Sequence, residues 1–207
     1  MQNFIQKYID KATSYIGYRN LIDILLSEGK TTGLKQTEKN ITNTRLNVQR
    51  MNRLDKTISV IPEITALIEG LERKCIWFII AEAWCSDCAQ IIPIINKIAE
   101  ASDHIELKIV LRDENPELMD RYLTNGGKAI PILICINKDT KHEICTWGPR
   151  PKPAQELMIK HKANPVKEYS EVQKEIQLWY TNDKGLTVQE EIMGLIKSLE
   201  NVPEAPD

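Results

Sequence analysis

The sequence predicts an α/β fold whose strands and helices alternate through the middle of the chain, with helices added at both ends. Four short apolar runs, residues 75–81, 105–111, 130–136 and 142–147, have the length of strands. Helical spacing lies between and beyond them, so residues 60–158 read as α-β-α-β-α-β-β.

Residues 1–27 place Phe4, Ile5, Tyr8 and Ile9, then Leu21, Ile22 and Leu25, at helical intervals. Residues 27–33, Ser-Glu-Gly-Lys-Thr-Thr-Gly, read as a linker before a more polar helix carrying Leu46, Val48, Met51 and Leu54. Gly29-Lys30-Thr31 is not a phosphate loop, because position 24 is Ile rather than Gly and no buried strand precedes it. Arg45, Arg50, Arg53 and Lys56 on that helix read as a solvated charged face. Pro62 opens a helix with Ile64, Leu67, Ile68 and Leu71. Cys75–Ala81 is continuously apolar, as befits a strand buried on both faces. Cys88, Ile91, Ile92, Ile95 and Ala99 then form one stripe of an amphipathic helix. A strand over 105–111, a helix over 116–123, strands over 130–136 and 142–147, and helices over 153–160, 166–180 and 188–199 complete the chain. Trp179-Tyr180 is expected to anchor a C-terminal helix, and residues 202–207 to fray.

Composition narrows the function classes. The 207 residues suffice for one substantial core, and a net charge of -2 offers no broad attraction for nucleic acid or an anionic membrane. The N-terminal stretch lacks a secretory pattern and no segment has the apolar length of a membrane span, so a cytoplasmic location is expected. Five cysteines in a chain of this size do not form a disulfide framework. Cys75, Cys135 and Cys145 lie in apolar runs and read as small core hydrophobes.

Cys85 and Cys88 differ from these three. Their Cys-x-x-Cys spacing falls where a buried strand gives way to a helix, placing Cys85 at the exposed, positive end and Cys88 one turn inward. That geometry suits a nucleophilic thiolate and a resolving thiol. An inert pair or half of a zinc site has the same spacing; zinc requires a second ligand pair, and His104, His142 and His161 each stand alone.

Trp84-Cys85-Ser86-Asp87-Cys88 resembles the Trp-Cys-x-x-Cys motif of the thioredoxin family. Pro93 stands where that family kinks its active-site helix, and Ile130-Pro131 is similar to the segment whose cis-proline packs beside the cysteines. Gly148 matches the glycine that ends the last strand. The resemblance covers residues 60–158 and implies a three-layer α/β/α sandwich on a central four-stranded mixed sheet. Residues 1–59 and 159–207 would then be helical extensions, the latter packed on the core.

By the same resemblance, Cys85 and Cys88 reduce protein disulfides with electrons from a thiol reductant and no metal or organic cofactor. Trp84, Ser86, Asp87, Ile130 and Pro131 shape the substrate groove. Two departures stand out: the family's buried aspartate falls on Ile79 and its assisting lysine near Ile109. Glu82 and Asp87 are the nearby acids and either is a candidate proton acceptor for Cys88, Glu82 foremost, although both read more simply as solvated charges at the mouth of the turn. Asp87 beside the thiolate is also expected to oppose the helix dipole and favour a reducing poise. Arg150, in the stiff Trp147–Pro151 turn, reads as solvated. A second function is compatible with these departures: a thioredoxin-fold binding module with vestigial redox activity.

Overall fold

The computed structural model describes residues 2–200; the tail expected to fray, 202–207, lies outside them. The elements follow in the order α1 (Gln2–Ile9), α2 (Tyr15–Ser27), α3 (Glu38–Thr57), α4 (Pro62–Glu69), β1 (Cys75–Ala81), α5 (Ser86–Glu100), β2 (Ile105–Leu111), α6 (Pro116–Met119), β3 (Ile132–Asn137), β4 (Glu143–Trp147), α7 (Lys152–Ala163), α8 (Tyr169–Asp183) and α9 (Leu186–Glu200). The strands form one sheet in the order β2-β1-β3-β4. β1 runs parallel to β2 and antiparallel to β3, and β3 runs antiparallel to β4, so the sheet is mixed. Every residue of β1 is buried, which requires helices over both faces and gives the three-layer sandwich. Trp77, Phe78, Ile79 and Ile80 on β1 meet Ile91, Ile92 and Ile94 of α5 in one core.

Local chemistry explains where elements begin and end. Ser14 caps α2 by accepting from the Gly17 N–H, and Thr37 caps α3 by accepting from the Asn40 N–H. The continuous N-terminal pattern is nevertheless two helices. Thr13 leaves the helix to exchange both backbone hydrogen bonds with Ile109, at 2.9 and 2.8 Å, covering part of the β2 edge. α6 stops at Met119 instead of running to 123, because Asn125 and Gly126 both adopt positive φ in a tight turn closed by the Thr124–Gly127 bridge. β3 begins at Ile132, after the Ile130–Pro131 bond, which is cis.

α3 lies against α5 and α7 against α8, while α9 packs on α4, α5 and β4. Helices from both ends of the chain therefore flank the helix that starts at the cysteines. One expected core position on α3 is displaced: Leu46 is exposed, whereas Thr44 and Asn47 are buried. At these two positions α3 meets polar groups, Thr44 the Thr31 hydroxyl and Asn47 the Ala83 carbonyl beside the cysteine motif.

Candidate active site

Cys85 is the N-cap of α5 and is half-buried; Cys88 lies one turn further on and is 1% exposed. Both are free thiols. The Cys85 Sγ–H donates to the Ile130 carbonyl at 3.4 Å, which seats the outer thiol against the residue before Pro131. Burial pushes the Cys88 thiol well above its usual value, and the adjacent Cys85 sulfur pushes it the same way. The backbone N–H of Glu82 partly offsets this by facing the Cys88 sulfur. The pair is thus asymmetric, one sulfur open at a helix start and the other held as a thiol inside.

Gly148 fixes the far side of this contact. Its φ is +123°, and a Cβ there would lie 2.4 Å from the Pro131 carbonyl oxygen, so only glycine lets the end of β4 approach so closely. The next bond, Gly148–Pro149, is also cis.

Glu82 is not a solvated charge. It is fully buried at the end of β1, where Oε2 accepts from the Thr32 hydroxyl at 2.5 Å and Oε1 from the Asp113 N–H at 2.8 Å. Burial is the main cause that raises its carboxyl to about 7, with the Asp113 charge adding to it and the two hydrogen bonds opposing. Thr32 also accepts from the Ala83 N–H at 2.8 Å, and the Asn47 amide donates to the Ala83 carbonyl at 2.7 Å. The segment expected to be a linker is therefore exposed over 27–30 but buried at Thr31 and Thr32, where it holds residues 82–83. Gly33, at φ +80°, fits against it: a Cβ would meet Asp113 Oδ2 at 2.6 Å and Trp84 Nε1 at 3.2 Å. Trp84 is partly buried, with the Arg112 guanidinium 4.7 Å from its ring centre.

Asp87 and Arg150 are likewise not solvated. The Arg150 guanidinium pairs with Asp87 Oδ2 at 2.6 Å, their side chains only 11% and 10% exposed, and the Tyr180 hydroxyl donates to Asp87 Oδ1 at 3.1 Å. Burial raises the Asp87 carboxyl, opposed by Arg150 and Tyr180, and the field of Cys85 reaches Arg150. Arg150 pairs with Asp87, yet the Asp87 charge still pushes the buried Cys88 thiol upward, the direction expected of a carboxylate inside the motif. Tyr180 anchors α8 as expected, and it does so on the motif itself. Ser86 lies at the first turn of α5, partly buried.

The two departures form a pair. Ile79 and Ile109 are partners in the β1–β2 register and both are buried, so two isoleucines occupy adjacent places on the sheet. Tyr18 of α2 is buried within the fields of Cys88, Glu82 and Cys85. Of the other cysteines, Cys75 and Cys135 are buried, and Cys135 faces Cys145 across β3–β4 rather than Cys85. Cys145 is half-buried because β4 is an edge strand. On α3, Arg45, Arg53 and Lys56 are exposed as expected, while Arg50 is half-buried and bonds Asn47 at 2.7 Å. Among the described residues, no group of three or more His, Cys, Asp or Glu is placed to hold a metal, and no helix is long and apolar enough to cross a membrane.

Trp84, Cys85, Ser86, Asp87 and Ile130 all line one pocket of about 430 Å³. α3 supplies Asn40 and Asn43 to its walls, and α7 and α8 supply Met158 and Gln173. Pro131 is buried beneath it. Thr32, Asn47 and Tyr180 had no local signal in the sequence, since their contacts to the motif span 36 to 93 residues.

Comparison with known proteins agrees with this architecture. A crystal structure of a protein of unknown function from Pseudomonas aeruginosa superposes with a TM-score of 0.55 at 14% identity, covering 90% of this chain and 99% of the other. A crystal structure of an HIV epitope-scaffold gives 0.54 at 15% identity, covering 92% and 100%. These similarities establish the fold alone. No protein of curated function matches the sequence significantly. The profile of the thioredoxin family matches residues 33–184, most of the chain and well beyond the sandwich itself, and with the mixed sheet and flanking helices this shows that the chain belongs to the thioredoxin family.

Proposed function

We propose that this chain is a thiol-disulfide oxidoreductase working through a Cys85/Cys88 dithiol. The observation that carries the reading is the asymmetry of the pair: a half-exposed Cys85 at a helix start, bonded to the Ile130 carbonyl, in front of a buried Cys88.

The Cys85 thiolate attacks one sulfur of a disulfide R–S–S–R′, forming Cys85–S–S–R and releasing R′–S⁻. Cys88 then loses its proton and attacks the Cys85 sulfur, releasing R–S⁻ and closing a Cys85–Cys88 disulfide. Two electrons pass to the substrate, and a thiol reductant restores the pair. Cys88 must be activated, because burial holds it protonated. Glu82 is the buried carboxyl that titrates near 7 with its own backbone at the Cys88 sulfur, and we assign it the role of proton acceptor. Taking up the proton requires the Thr32 or Asp113 bond to yield. Cysteine usage supports a cytoplasmic place of work, where reductant is supplied.

A second reading rests on Ile79 and Ile109. With isoleucines where the family's proton-handling pair stands, a binding module with slow redox chemistry is compatible with the site. Reduction of the neutral bis(2-hydroxyethyl) disulfide in the presence of dithiothreitol separates the two. The oxidoreductase reading predicts catalysis that Cys85→Ser abolishes, and a rate indifferent to Cys85→Ser refutes it.

A further inference from the structure

The lining of the pocket over Cys85 is electrostatically one-sided. Lys39, Arg112, Lys128, Arg150 and Lys162 face it against one carboxylate, Asp87. Three of these cations are already engaged, Arg150 by Asp87, Arg112 by Asp113 and Lys128 by Asp120. Lys39 and Lys162 have no acidic partner among the described residues. They come from different elements of the lining, Lys39 from α3 and Lys162 from α7, on either side of the cysteine motif in the chain. The lining also carries amides, Asn40, Asn43, Gln173 and Gln177, a residue type that donates hydrogen bonds to carboxylate or peptide oxygens. A volume of about 430 Å³ accommodates a small molecule.

We propose that the substrate class of the Cys85/Cys88 site is a small disulfide bearing carboxylates on both arms, one held by Lys39 and one by Lys162 while Cys85 attacks the sulfur between them. This rests on the oxidoreductase reading and replaces the protein disulfides that the family resemblance implies. The exchange is the one written above, with both released thiolates carrying their carboxylates away and an external dithiol returning two electrons.

Three aliphatic disulfides of similar size test it: 3,3′-dithiodipropionate (dianionic), bis(2-hydroxyethyl) disulfide (neutral) and cystamine (dicationic). Each exposed lysine–carboxylate contact is worth up to about fivefold. At low salt, kcat/KM should favour the dianion over the neutral compound by roughly tenfold or more, with the dication slowest and the spread narrowing as salt is added. In Lys39→Glu/Lys162→Glu the ratio of dianion to dication rates should fall to one or below; a ratio is insensitive to partial misfolding. Equal rates for the three compounds, a cationic preference, or faster reduction of insulin than of the dianion overturns the proposal. A titration with the thioether 3,3′-thiodipropionate, which has no disulfide, reads the pocket without redox chemistry. Binding by wild type that weakens about tenfold or more in the double variant supports the anion site even if no disulfide is reduced. Absence of binding overturns it even if the neutral disulfide is turned over.

Discussion

Replacing Glu82 by Gln tests the buried carboxyl beneath the motif. Glutamine keeps the shape: its Oε1 can accept from the Asp113 N–H and its amide can donate to the Thr32 hydroxyl oxygen, but it does not titrate. In the folded wild type the carboxyl is raised from 4.5 to about 7, so the native state holds a proton that the unfolded chain releases. A raised carboxyl stabilises the fold at low pH, and this contribution fades as pH rises through about 7. Because Glu82 is fully buried, solvent screening does not dilute the effect. Linkage between those two values amounts to about 2–3 kcal/mol lost between pH 5 and pH 8. Urea unfolding of both proteins at pH 5, 6, 7 and 8 measures it directly. Relative to the glutamine variant, the wild type should lose about 2–3 kcal/mol of stability across that range, most of it below pH 7. A difference that stays constant to within about 0.5 kcal/mol, or that grows with pH, refutes the reasoning.

Other perturbations follow from the same contacts. Asp87→Asn leaves the buried Arg150 without a counter-charge and should cost about 3–5 kcal/mol, lowering Tm by roughly 10 °C in calorimetry, whereas Tyr180→Phe should cost only about 1–2 kcal/mol. Gly148→Ala forces a Cβ to within 2.4 Å of the Pro131 oxygen, so it should destabilise by about 2 kcal/mol or more and slow alkylation or turnover at Cys85. At pH 8, iodoacetamide should modify Cys85 at least about 100-fold faster than Cys88, as mass spectrometry of timed samples would show. If Glu82 accepts the Cys88 proton, single-turnover closure of the disulfide should show a pH-dependent rise near 7 in wild type that Glu82→Gln removes.

The sandwich was legible because its signals are local. Continuous burial of β1 and the apolar stripe of α5 are each written within one element. Cys85 and Cys88 were legible for the same reason, as was the contrast between an exposed and a buried thiol. The charges around them were not. Glu82, Asp87 and Arg150 look like surface residues in sequence, since a carboxylate or guanidinium is rarely buried without a partner. Their partners, Thr32, Asp113 and Tyr180, come from loops and helices assembled only by the tertiary fold. The polar stripe of α3 misled in the same way, because Asn47 is buried against the Ala83 carbonyl rather than against apolar neighbours. In each case a long-range hydrogen bond decided burial, and hydrophobic periodicity carries no trace of it.

The proposed function makes Cys85 and Cys88 one redox unit with Cys85 outermost. Reduced protein treated with one equivalent of bis(2-hydroxyethyl) disulfide, quenched over time and mapped by mass spectrometry, tests this most directly. A transient adduct on Cys85 alone is expected, followed by a Cys85–Cys88 disulfide, with the adduct persisting in Cys88→Ser. An adduct that forms first on Cys88, or a wild-type adduct on Cys85 that never resolves, would contradict it.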